Sequence, residues 1–189
     1  MKIRVILALS LAGLAIRAIE PHPDAAANTH KPGEVDIPGN LKFIVADPGS
    51  LDGIVLDETD AVLKGSWHYS THTPPYVGIG YLHDRKSGKG EKSVTWTPTF
   101  PKTGTYEVRV SHCYNVRRST NTPIRIRHAK GLTTVRINQQ DTPEHGKLFR
   151  TIGVFSFAAG KSGSVTISNT GTEGKYVIAD AVQFLPVNR

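Results

Sequence analysis

One cysteine, Cys113, stands in 189 residues, so no intrachain disulfide can form and stability must come from a packed core. Set just past a strand, Cys113 reads as a small core side chain rather than a nucleophile. No segment carries the i, i+3, i+4, i+7 apolar stripe of a helix. After the first sixteen residues no run is apolar enough to cross a bilayer. No Lys/Arg cluster is interleaved with stacking aromatics, which argues against nucleic acid. There is no glycine-rich strand–turn–helix fingerprint for a dinucleotide. No paired carboxylates or Ser/His/Asp arrangement mark a catalytic site, so no catalytic residue is assigned. What remains is an ordinary globular composition, 38% hydrophobic and 21% charged, with eighteen glycines and twelve prolines spread between short alternating runs. That pattern favours an all-β chain.

The first eighteen residues place Lys2 and Arg4 before the apolar run Val5–Ile16, with small residues at Ala15 and Ala18. This is the layout of a cleaved secretory signal. Removing Lys2, Arg4 and Arg17 with it would lower the formal charge from +7 to +4, a mild surplus suited to acidic polysaccharide or an anionic surface. Residues 19–50, with Pro21, Pro23, Pro32, Pro38 and Pro48, read as a linker or arm in which Phe43, Ile44 and Val45 form at most a short strand. Residues 51–187 read as one domain. The expected location is secreted, periplasmic or at the cell envelope, with no membrane span once the signal is removed.

Ser93 to Ser111 organises the rest. Val94 and Trp96 alternate with polar neighbours, as do Tyr106, Val108 and Val110, which is the period of half-buried strands. Pro98, Pro101 and Gly104 lie between them, and the two strands read as an opening hairpin. Ile54–Leu56 starts an earlier strand, and Tyr69 to Gly90 reads as a long irregular stretch of the kind that carries function. Ile124, Ile126 and His128 alternate with Arg125 and Arg127 ahead of an Ala129-Lys130-Gly131 turn, and Val135 and Ile137 complete a hairpin with one charged face. Phe149–Phe157 changes parity near Thr151–Gly153, the mark of a bulge. Val165–Ile167 and Tyr176–Leu185 follow, the latter with Asp180 at an apolar parity. Eight or nine such strands imply an antiparallel β-sandwich or jelly roll.

Four blocks carry a family resemblance: IVLDETDAVLKGSWHYSTHTPPYVGIGYLHD, GKGEKSVTWTPTFPKTGTYEVRV, RRSTNTPIRIRHAKGLTTVRINQQ and GSVTISNTGTEGKYVIADAVQFLP. In this order they resemble the golvesin/xanthan-lyase C-terminal domain, a module appended to secreted enzymes and to FAD-dependent oxidoreductases. The resemblance implies a galactose-binding-domain-like jelly roll and a carbohydrate-binding role without catalysis. Members of the family tend to read Asn-Arg-Ala-Thr-Asn where this chain has Arg117-Arg118-Ser119-Thr120-Asn121. Arg118 and Asn121 keep their places, and Arg117 leans the preference toward acidic groups.

Sugar recognition needs flat aromatic surface and a few rigid hydrogen-bond donors. The expected ligand-binding residues are Tyr76, Tyr81, Tyr114, Arg117, Arg118 and Asn121, with Tyr69 and His72 in the same loops and Trp67 expected in the core. A guanidinium clamp suits a uronate or pyruvylated sugar. Asp57, Glu58, Asp60 and Asp180 raise a metal question. First and last strands are often neighbours, so Asp57 and Asp180 are candidates for structural calcium, although capping of backbone N–H groups is the favoured use. His68 and His72 lack a third zinc ligand at a diagnostic spacing and are expected as solvated loop histidines. The expected function is a secreted, non-catalytic module that binds extracellular, including acidic, polysaccharide, without cofactor and beside a larger secreted enzyme or envelope protein. The alternatives are an envelope protein-interaction module and a small lyase-like enzyme using His83, Asp84 and Tyr81.

Overall fold

The computed structural model describes residues 45–187 except 89 and 173. The expected signal segment and most of the expected arm, with Phe43 and Ile44, lie outside the described residues. Among these residues no helix is long and apolar enough to cross a membrane. The ordered elements are strands and two single-turn 3-10 helices, Pro48–Ser50 and Glu58–Asp60.

The domain is a jelly-roll β-sandwich. One layer contains five strands: β3 (Val62–Lys64), β7 (Ser93–Trp96), β12 (Ser164–Ser168), β9 (Thr122–His128) and β10 (Gly131–Ile137), in that spatial order. The other contains β2 (Ile54–Leu56), β14 (Val182–Pro186), β8 (Gly104–Ser111) and β11 (Phe149–Phe157). Strand pairing within both layers is antiparallel. The expected opening hairpin is therefore an arch. Its two strands belong to opposite layers, because the proline-bearing segment from Thr97 to Thr103 is too long and stiff for a tight turn and instead bridges the sandwich. Trp96 and Tyr106 consequently meet in the core from the two sides, both at most 1% exposed. Phe100, on the arch itself, stacks on Phe157 at 4.4 Å and meets Phe184 edge-on at 5.3 Å. The β9–β10 hairpin forms as expected, and so does the bulge between Thr151 and Gly153.

A smaller three-stranded sheet at one end departs from expectation. The stretch Tyr69–Gly90 is not irregular throughout: it contributes β4 (His68–Ser70), β5 (Tyr76–Val77) and β6 (Tyr81–His83). β6 pairs with β4 and with β13 (Ile178–Ala179), while β5 runs parallel to β1 (Val45–Ala46). The single final strand expected from Tyr176 to Leu185 is broken at Asp180–Ala181. Upstream of the break the chain lies in the small sheet, and downstream it joins β2 and β8. Gln139 takes the place of a missing neighbour. Its buried amide accepts from Ile178 N at 2.9 Å and donates to Ile178 O at 2.8 Å, satisfying the strand as a ladder partner would.

Candidate functional site

The small sheet presents a basic aromatic cluster. Its centre is Arg118, 6% exposed, whose Nη2 donates to Thr73 Oγ1, Tyr81 OH and Cys113 Sγ at 3.3 to 3.4 Å. These contacts are at the long end for hydrogen bonds. Arg118 Nε is buried with no partner among the described residues. The guanidinium lies over the rings of Tyr81 and Tyr176 at 5.8 and 5.7 Å, and Tyr76 packs 6.1 Å from Tyr81. No carboxylate among the described residues forms an ion pair with it.

The β6 turn adds further basic groups. Arg85 and Lys86 both adopt positive φ (58° and 59°), the two central positions of a turn closed by Ser87 N donating to Asp84 O. Left-handed backbone at two long side chains is uncommon. Asp84 holds it: one carboxylate oxygen accepts from Lys86 N and Val177 N, and the other from Asn169 Nδ2. The turn places Lys86 Nζ 4.7 Å from the centre of the Tyr176 ring and Arg85 Nη2 2.9 Å from His68 Nδ1. His83 lies 4.9 Å from His68 and meets Tyr176 edge-on at 5.2 Å. Burial, then the basic groups of His68 and Arg118, push the His83 imidazole down to about 4. This end of the molecule thus gathers three basic side chains, Arg118, Arg85 and Lys86, beside His68 and His83. Asp84, the acid of the β6 turn, is taken up by backbone N–H groups and the Asn169 amide. Such an arrangement attracts an anion and offers it guanidinium N–H groups.

The expected residues divide. Tyr76, Tyr81 and Arg118 come together, but Tyr81 is 2% exposed and sits under the guanidinium, so it supports Arg118 instead of stacking on a sugar. Tyr114 is half-buried in the adjoining loop. Arg117 and Asn121 are exposed and are held through their backbones: Arg117 O accepts from Tyr176 N, and Asn121 O accepts from Arg136 Nη1. Trp67 is half-buried against the core. Tyr69, 43% exposed, is the most open of the expected aromatics; its hydroxyl donates to Ile79 O at 2.6 Å and its ring covers Gly80. Tyr176, Lys86 and His83 join this cluster without a sequence signal that marks them as ligand residues, since only the break before β14 folds the Tyr176 segment back onto β6. The lyase-like trio does not assemble at the surface, because Asp84 is 1% exposed and Tyr81 is sealed. Burial also raises the Cys113 thiol, which leaves it unreactive.

Beneath Tyr69 and Tyr76 lies a second cluster. Carboxylate oxygens of Asp57, Glu58 and Asp180 lie within 4.8 Å of one another, and all three residues are buried. Of the two expected uses of Asp57, the capping is seen: it accepts from Glu58 N at the start of the 3-10 turn, with Asp60 accepting from Asp57 N. Asp180, at the break between β13 and β14, accepts from Val77 N at 3.2 Å and from Ser111 Oγ. Glu58 has no partner at either oxygen among the described residues. Burial and the neighbouring Asp57 and Asp180 raise its carboxyl to about 10, and burial raises Asp57 and Asp180 as well. Gly78 is required here. At φ +62° a Cβ there would collide with Asp57 Oδ2.

With this geometry established, the relatives are informative. The profile of the Golvesin C-terminal domain matches residues 54–186, most of the chain. The chain belongs to that family. It is 39% identical over 148 residues to xanthan lyase from Bacillus sp. (strain GL1), covering 75% of the chain and 16% of the lyase. The structure of Paenibacillus xanthan lyase superposes with a TM-score of 0.66 at 35% identity, over 71% of this chain and 13% of that one. A family 35 carbohydrate binding module from Clostridium thermocellum superposes at 0.52 and 15% identity, covering 71% of this chain and 98% of the module. This golvesin-type domain thus has the fold of carbohydrate-binding modules. It spans less than a fifth of the lyases it matches.

Proposed function

We propose that this chain is a secreted, non-catalytic module that binds polysaccharide bearing acidic groups at the end defined by Arg118, Tyr176 and the β6 turn. The observation that carries the reading is Arg118 itself. A buried guanidinium with long contacts, an idle Nε and no carboxylate partner burdens the fold, because a buried charge repays its desolvation only with good partners. A ligand carboxylate would supply them, with Tyr69 and Tyr76 offering ring surface nearby. Arg118→Met tests this directly. The variant should keep or raise the melting temperature while losing at least tenfold in affinity for xanthan or polygalacturonate, measured by calorimetry. Unchanged affinity in a folded variant would refute the assignment.

The carboxylate trio fits a hard divalent cation, since three buried carboxylates stand together and one of them, Glu58, has no proton donor at either oxygen among the described residues. Calcium held by Asp57, Glu58 and Asp180 would neutralise that charge and tie β2 to the β13–β14 break beneath Tyr69. It has a structural role in this reading.

A further inference from the structure

The outer face of the five-stranded sheet is basic and grooved. A cavity of about 350 Å³ on this face is lined by Lys64, Arg125 and Arg136, with Ser93, Thr166 and Ser168 among the groups forming its floor. The alternation of β9 turns Ile124 and Ile126 into the core and leaves Arg125 and Arg127 exposed, so Arg127 extends the same charged row. Register fixes the spacing. Thr134 pairs with Arg125 and Arg136 with Pro123, which sets the two arginines diagonally across neighbouring strands, about 7–8 Å apart. Lys64 pairs with Ser93, and Ser93 with Ser168, toward the opposite edge. Four inter-strand steps of about 4.8 Å separate β10 from β3, so the cations bracket a hydroxyl-lined floor roughly 19 Å wide. Thr95 and Thr166 share a hydrogen bond of 3.0 Å across that floor.

Charge on this face is poorly balanced. Glu91 is the acid lining the groove, against Lys64, Arg125 and Arg136. Lys92 also lines it but contributes little free charge, because its Nζ is turned inward to Asp84 O and Ser87 Oγ. Among the described residues none of the three sheet-face arginines forms an ion pair. The groove lining contains no aromatic ring, so it cannot grip a neutral sugar by stacking. A carboxylate-bearing chain, by contrast, meets guanidinium groups suited to bidentate contact and hydroxyls able to bridge to sugar oxygens.

We infer that this groove is a second glycan site, separate from the Arg118 cluster, which takes a stretch of polyuronate across the sheet by its carboxylates. The inference rests on reading the chain as a polysaccharide-binding module. It is tested by calorimetry of the full chain with polygalacturonate, neutral galactomannan and polyphosphate, comparing wild type, Arg125→Ala/Arg136→Ala and Arg118→Met. A polygalacturonate chain that engages both sites gains the avidity of the pair, so the double variant should weaken it at least tenfold even with the Arg118 cluster intact, flatten the salt dependence of binding and leave any galactomannan affinity unchanged. Undiminished polygalacturonate binding by the folded double variant would overturn the groove, while loss in Arg118→Met alone would leave the module reading standing. Polyphosphate binding as tight as polygalacturonate would also overturn it, since simple charge attraction would then suffice. Failure of wild type to bind any glycan would sink the module reading and the groove with it.

Discussion

Replacing Glu58 by glutamine tests the electrostatics of the buried trio. Glu58 is 5% exposed, both its oxygens are unpartnered, and its carboxyl is raised to about 10 in the folded chain against an ordinary 4.5. Between those two values the native state holds a proton that the unfolded chain has released. Stability therefore falls as pH rises, by about 1.36 kcal/mol per pH unit for one proton. The size of the loss at pH 8 depends on the unfolded value and not on how far above 8 the folded one lies. His112 acts in the opposite sense below its ordinary 6.5, so the clean window is pH 6.5 to 8.0, where Glu58 alone costs about 2 kcal/mol. At about 2–4 °C per kcal/mol for a chain of this size, the midpoint in EDTA should drop by about 4–8 °C. Protons retained by Asp57 or Asp180 would steepen the fall. Glu58→Gln is neutral throughout and removes one proton's share of the slope. Calcium at about a hundred times its dissociation constant should restore about 2.7 kcal/mol to wild type at pH 8 and little to the variant. Parallel melting profiles for the two proteins in EDTA would refute the assignment.

Other tests follow from the same structure. His112 is fully buried with neither ring nitrogen partnered among the described residues, and burial with the nearby Arg150 and Arg118 lowers it to about 3. The folded imidazole stays neutral where the unfolded one is protonated, so its contribution is complete above pH 6.5 and shrinks by about 2 kcal/mol on reaching pH 5. His112→Phe should abolish that acid-side loss in urea titrations, and an unchanged acid limb would contradict the argument. Phe157, fully buried against Phe100, Phe184 and Tyr106, should cost about 3–5 kcal/mol when cut to alanine, because the arch over the sandwich cannot collapse into the space. Urea unfolding would show this as a lower midpoint at unchanged m, and a loss below about 1 kcal/mol would mean that the aromatic cluster is not the centre of the core.

The alternating runs of this chain determined its layers. Val94 and Trp96, Tyr106 to Val110, and Ile124 and Ile126 each declare a buried face, because a strand's side chains repeat every two residues whatever it pairs with. The same local logic reached the Asp57–Asp180 meeting, since the first and last sandwich strands do pair, Leu56 opposite Val182. Periodicity carries no information about partners across a layer, and so the Trp96 and Tyr106 strands looked like a hairpin until the arch separated them. Nor did Tyr81 or Arg118 reveal their burial, because a loop's side chains have no repeating direction. Only tertiary packing decided that Arg118 and Lys86 share the Tyr176 ring, that Glu58 has no partner among the described residues, and that the arginines of β9 and β10 share a groove with Lys64. Each of those facts depends on segments far apart in the chain reaching one place, and that is set by the closure of two sheets over a common core.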